Sequence, residues 1–252
     1  MSSHRGPTNQ GLPTGCSRTV DFLRLRAAGW HSHRVEVPRG DRLPAPRSLL
    51  VAAAVTAVVS GLAIAALDQP LARYLAGYQA LGFWDAGIEA LEWAIGLPIF
   101  KWVSGLVLVL GMVVTSAVPR WRGQAPAWTW IAATHILARM ATLEVKLATA
   151  RLRPTEWIAK GGDAETFGWI NAYSFPSGHV TLFASIAIPL AVIVRPRHPI
   201  LAGVLLVPAV FAMLARLAVN AHFVSDVTAA ITLVCLIAWL TGWIVRPLPS
   251  RR

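Results

Sequence analysis

Charge is scarce in this chain. Asp, Glu, Lys and Arg make up 14% of its 252 residues, against about 25% in ordinary soluble chains, and 55% of the residues are hydrophobic. A deficit of that size argues against a water-soluble surface and for a membrane protein. Cysteine is almost missing too. Cys16 lies in a polar tail and Cys235 inside an apolar run, so a disulfide framework and a Cys-rich metal site are both excluded. Cys235 is left as a small packing residue. No internal repeat is visible.

What is present is a series of long apolar runs. Residues 48–67 carry twenty residues without a charge, about the number a helix needs to cross the hydrocarbon layer. Further runs occupy about 99–118, 127–148, 178–194, 200–219 and 226–245, the fourth and fifth containing Pro189 and Pro208. Six spans are expected, in an all-α bundle over 48–245. Residues 1–47, rich in Gly, Pro, Ser and Arg without sustained periodicity, are expected to be a largely disordered basic tail. They do not resemble a cleavable signal, because the apolar run starts late and ends without a small-residue cleavage site. Residues 246–252 form a second short basic tail.

Six spans place both termini on one side, and the distribution of Lys and Arg says which. With the termini cytoplasmic, fifteen of the 23 Lys and Arg fall inside, eight of them in the first tail. Such a tail could hold nucleic acid or anionic lipid. Its plainer reading is a topology signal, and no nucleic-acid partner is expected. Residues 69–98 then lie outside. There "DAGIEALEWAIG" fits an interfacial amphipathic helix, and the aromatic residues around it fit an interfacial belt equally well.

Ionisable residues are costly in a span, yet they gather at one face. Lys146, Arg151 and Arg153 lie at the outer end of the third run and His179 opens the fourth. Arg216 nears the outer end of the fifth, and His222 and Asp226 open the sixth. Lys146 and Arg153 are seven apart, close to two helical turns, and Pro154 is expected to end their helix. His222 and Asp226, four apart, share a helical face. A carboxylate there can take the proton of one imidazole nitrogen and leave the other free and aimed. In "YSFPSGHVTLF", Pro176 marks an entry and Ser177 is a good N-cap. Gly178 lets a backbone N–H approach a ligand. The fresh helix start is an anion site, with His179 beside it to give or take a proton. Three cations (Lys146, Arg153 and Arg216) repel one another unless an anion sits among them, and a phosphate would satisfy them.

Three segments carry a family likeness. "KLATARLRP" (146–154) looks like a K-x6-R-P motif, and "PSGH" (176–179) a second. "ARLAVNAHFVSD" (215–226) is similar to a third, S-R-x5-H-x3-D, with Ala215 in place of the usual Ser. Together they resemble the type 2 phosphatidic acid phosphatase (PAP2) superfamily, of the acid phosphatase–haloperoxidase type. The resemblance implies that His222 attacks phosphorus, Asp226 orients it, and His179 protonates the leaving oxygen. Lys146, Arg153, Arg216, the Ser177 hydroxyl and the Gly178 N–H would hold the phosphoryl oxygens, with no metal and no cofactor.

The other polar residues read more plainly. Arg139 and Glu144 could pair, but five residues is poor helical spacing, and neither is given a role. Arg151 falls off the Lys146–Arg153 face and is expected to contact a lipid headgroup. His135 is expected to be a packed polar residue, and most of the eleven Trp interfacial anchors. A site at headgroup depth suits a lipid phosphate or pyrophosphate arriving through the bilayer: a polyprenyl pyrophosphate, phosphatidic acid or phosphatidylglycerol phosphate. The expected protein is a metal-independent lipid phosphatase of the plasma (inner) membrane, its site on the extracytoplasmic side. The alternative is a transporter or binding protein for lipid phosphates that uses the same cations. A halide-oxidising vanadate enzyme shares the pocket, but that group is soluble.

Overall fold

The computed structural model describes residues 47–78, 82–163, 167 and 172–245, all within one unit, Pro38–Arg252. The basic tails expected over 1–47 and 246–252 lie outside the described residues, Arg47 apart. Among the described residues every regular element is a helix, with no strand. A first rod runs Arg47–Ala76, made of α1 (Arg47–Leu62), a π-helical turn (Ala63–Leu67) and α2 (Asp68–Ala76). There follow α3 (Phe83–Ala94), α4 (Val103–Ala117), a 3₁₀ turn (Pro119–Gln124) and α5 (Ala125–Thr149). The remaining helices are α6 (Pro154–Ala159), α7 (Gly178–Val194), α8 (Pro199–Ala218) and α9 (Val224–Ile244).

Each of the six apolar runs is helical. The Arg47–Ala76 rod, α8 and α9 are long and apolar enough to cross a membrane, while α4 and α7 are apolar but shorter. At 25 residues α5 is long enough, but it carries Arg139, Glu144 and Lys146. Helices α7 and α8 continue through Pro189 and Pro208.

The packing is that of a protein dissolved in lipid. Small residues face inward, among them Ala53, Ala138, Ala184, Ala212 and Ala238. Large aliphatic side chains such as Val55, Leu110 and Val207 face outward. Outside such a bundle there is no water to drive aliphatics inward, so small residues that let backbones approach do the packing. Gly111 shows how close that approach is, since a Cβ there would stand 2.3 Å from the Trp128 ring. Hydroxyl pairs tie the helices together: Thr56 with Thr232 at 2.8 Å, Thr134 with Thr241 at 2.8 Å, and Thr142 with Thr181 at 3.0 Å. His135 is packed as expected, fully buried between the hydroxyls of Ser104 (2.9 Å) and Ser185 (2.8 Å). Cys235 is buried in the core with Trp130 and Ala238.

The stretch "DAGIEALEWAIG" does form a helix, within α3. Trp84 of α3 stacks on Phe211 of α8 at 5.5 Å, and Gly87 leaves room for the same ring. This contact seats α3 over the end of the bundle where the polar residues collect.

Candidate functional site

Two chain reversals assemble the site. The first corrects an expectation. Helix α5 stops at Thr149, before Arg153, and Ala150 adopts a left-handed conformation (φ 48°). Pro154 opens a helix instead of closing one: Arg153 is the N-cap of α6, with Pro154 in its first turn, where a missing N–H costs nothing. The segment after Ala150 pairs with the strand-like stretch ahead of α7. Ala172 N–H donates to Ala150 O and Ser174 N–H to Arg151 O, both at 2.9 Å. That pairing brings residues 146–153 beside 174–179. The second reversal joins α8 to α9. Asn220 takes the left-handed conformation (φ 51°), which Asn tolerates better than most residues. The N–H groups of Ala221 and His222 both donate to Arg216 O.

Asp226 sits in the first turn of α9 and does two jobs. Its Oδ2 accepts the N–H of Phe223, the N-cap residue, at 3.0 Å, which satisfies an otherwise orphaned donor. The same oxygen stands 3.3 Å from His222 Nδ1 and accepts the Ser174 hydroxyl at 2.5 Å. Ser174 Oγ lies 3.3 Å from the same Nδ1. A carboxylate can only accept, so the proton of a neutral His222 belongs on Nδ1. Nε2 is left as a lone pair for the cavity that His222 lines. His222 is buried, and burial lowers its pKa to about 4 against the opposing pull of Asp226, so the ring is neutral at ordinary pH.

That cavity has a volume of about 520 Å³ and is also lined by Lys146, Arg153, Gly178 and His179. Lys146 Nζ is anchored on two carbonyls of the opposite loop, Tyr173 O at 2.5 Å and Ser174 O at 3.3 Å. Gly178 opens α7, and a Cβ there would meet nothing nearer than Lys146 Cε at 3.8 Å. Ser177 occupies the N-cap position as expected, but its side chain makes no capping bond. Its Oγ is buried without a hydrogen-bond partner, and so is Arg216 Nε. Arg216 does not line the cavity wall, but its charge reaches His179, Arg153 and Glu92. Orphaned buried polar atoms are rare, and here two fall on residues whose expected partner is an oxyanion.

Several residues in the site escaped the sequence reading. Arg151 was expected at a lipid headgroup. It is buried instead, 1% exposed, donating to Asp226 Oδ1 (2.8 Å), Asp68 Oδ2 (2.9 Å) and Ser225 Oγ (2.6 Å), with its guanidinium over the rings of Phe167 and Phe223. Asp68 also accepts the Ser225 N–H at 3.1 Å and the Ser225 hydroxyl. Ser60 Oγ donates to Ser225 O at 3.0 Å. Glu92 of α3 lies 2.6 Å from His179 Nε2. The only sequence signal for these partners was an acidic residue at the end of an uncharged run, Asp68, and a carboxylate on an amphipathic helix, Glu92. Arg139 and Glu144 do not pair: Arg139 lies over the Trp102 ring at 4.3 Å, and Glu144 is exposed. Among the described residues no group of three or more His, Cys, Asp or Glu is placed to hold a metal ion.

Fold and site together define a helical membrane protein with a buried, hydrogen-bonded histidine lining a cavity that Lys146 and Arg153 also line. Residues 127–249 match the family model of the PAP2 superfamily. That match supports a phosphatase-type activity on phosphoric esters. A comparison with curated proteins finds no match.

Proposed function

We propose that the protein is a metal-independent phosphatase of lipid phosphates or pyrophosphates, working through a phosphohistidine. One observation carries the reading: His222, its Nδ1 held by Asp226, lines the same cavity as Lys146, Arg153 and the first turn of α7. In the first step Nε2 forms a bond to phosphorus as the bond from phosphorus to the lipid oxygen breaks, and His179 gives that oxygen a proton. In the second step water attacks phosphorus, His179 takes a proton back, and the phosphorus–nitrogen bond breaks to release phosphate. The cations, the Gly178 N–H and the Ser177 hydroxyl hold the equatorial oxygens, where charge stabilisation and alignment do most of the work in phosphoryl transfer. Asp226 and Ser174 hold the His222 ring; Glu92 orients the His179 ring.

The topology proposed with this mechanism has six spans, cytoplasmic termini and the site at the extracytoplasmic face of the plasma membrane. It rests on the positions of Lys and Arg. Polyprenyl pyrophosphate, phosphatidic acid and phosphatidylglycerol phosphate are the candidate substrates. A second reading, a lipid-phosphate transporter or binding protein, is favoured by Arg139 within a span. Phosphate release from a panel of purified lipid phosphates decides between them, with His222→Ala as the blank. Release by the wild type alone supports the enzyme. Binding without release, or equal release by the variant, overturns it.

A further inference from the structure

The cavity has a second cationic end that the phosphoryl site does not use. Arg139, Thr142, Leu143 and Lys146 all line it, and their spacing places them along one face of α5. Seven residues separate Arg139 from Lys146, a rise of about 10 Å, and Arg139 is the one nearer the middle of the helix. Lys101 and Trp102 line the cavity at this level. The Arg139 guanidinium carbon stands over the Trp102 ring, 4.3 Å from its centroid.

Among the described residues nothing neutralises Arg139. None of the four ion pairs among the described residues includes it, and one of its terminal nitrogens is buried without a hydrogen-bond partner. A cation inside an apolar helix is costly, and a buried donor left unpaired adds to the cost. An arrangement that keeps both, stacks the group in place and aims it into a ligand cavity is built for an acceptor supplied by the ligand.

Position says which part of the ligand. The phosphoryl group to be transferred sits at His222, and the lipid tail must extend toward the hydrocarbon. Arg139 lies on the tail side of Lys146. We infer that Arg139, backed by Lys101 and Trp102, binds a second phosphate carried on the leaving group. This rests on the phosphatase reading of the cavity and narrows its substrate. Two sources share that chemistry: a lipid diphosphate, whose leaving group is a lipid monophosphate, and a phosphodiester headgroup that ends in a phosphomonoester. A simple lipid monophosphate such as phosphatidic acid offers no such group.

The test uses full-length protein in lipid nanodiscs and compares wild type, Arg139→Gln and Arg139→Lys. Binding is measured calorimetrically with non-hydrolysable probes: farnesyl methylenebisphosphonate for the diphosphate, a phosphonate analogue of phosphatidylglycerol phosphate for the headgroup, and farnesyl phosphonate as the single-phosphate reference. Wild type should prefer at least one two-phosphate probe, and Arg139→Gln should cut that preference about 10- to 100-fold, as expected for one charge-assisted bond. Arg139→Lys should keep part of it. Loss confined to the bisphosphonate assigns the diphosphate, and loss confined to the other probe assigns the headgroup. An unchanged ratio for both overturns the inference. If Arg139→Gln does not fold, Arg139→Lys decides, because losing the planar fork must still lower the ratio. Since binding is read without turnover, absence of catalysis in the phosphate-release assay would sink the phosphatase reading and leave this result standing.

Discussion

Asp68 and Asp226, one from the first helical rod and one from the last helix, share the guanidinium of Arg151. Asp226 orients His222, so the support of the candidate nucleophile runs through Arg151 into Asp68. Removing one member of a buried charge cluster strands the others, at about 3–5 kcal/mol. Arg151→Ala should lower the unfolding free energy in detergent by about that amount, read from thermal or denaturant unfolding. Stability within about 1 kcal/mol of wild type would contradict the burial of this network.

Ser177 gives a cleaner separation of stability from activity. Its hydroxyl is buried and unpartnered, so deleting it removes no internal hydrogen bond. Ser177→Ala should melt at or slightly above the wild-type temperature. Its phosphate release should fall by about 10²–10³, the usual cost of one oxyanion donor. Full activity would take Ser177 out of the site.

Gly178 is proposed to serve the ligand and not the fold. A methyl group there meets only Lys146 Cε at an ordinary distance, so Gly178→Ala should fold normally. The methyl would stand where a phosphoryl oxygen approaches the backbone, and kcat/KM should drop by about 10² or more, since misplacement of about 1 Å can cost that much. Unfolding midpoint and turnover measured on one preparation check both halves.

The pH dependence follows from the buried, neutral His222. Its folded pKa of about 4 lies below the unfolded value of about 6.5, so between those values the unfolded chain binds the extra proton. Stability should therefore fall as pH drops from about 6.5 toward 4, with a slope of up to ~1.4 kcal/mol per pH unit from this group. His222→Gln should lose that part of the slope. For turnover, the acid limb due to His222 should appear near pH 4, not near 6.5. A single-turnover profile with its nucleophile limb near 6.5 would contradict a desolvated ring.

Glu92 is proposed as a positioning residue for His179. Glu92→Ala should reduce kcat about 10- to 100-fold, a share of the 10²–10⁴ that general acid catalysis contributes, with little change in KM. Glu92→Gln, which can still hold the ring, should recover part of it. A change in KM alone would recast Glu92 as a substrate contact.

The six apolar runs and the motif residues were legible in the sequence because each depends on local pattern. Lys146, Gly178, His179 and His222 do line one cavity, with Asp226 behind His222. What stayed hidden depends on contacts between distant segments. Arg151 looked like a surface cation because helix periodicity was carried through Ala150, where the backbone in fact turns left-handed and swings the side chain inward. Pro154 was misjudged for the same reason: a proline closes one helix or opens another, and only the chain path says which. Ser174, Asp68 and Glu92 have no motif of their own; their partners are set by how the loop before α7, the first rod and α3 fold over the end of the bundle.

The matched segment 127–249 omits Ser60, Asp68, Glu92 and Trp102, each of which braces a group inside that segment. The signature-bearing half is therefore not a self-sufficient module. Transplanting its three motifs into a foreign helical scaffold would import the reactive side chains without their scaffolding, and any working graft must bring along the first rod and the amphipathic cover as well.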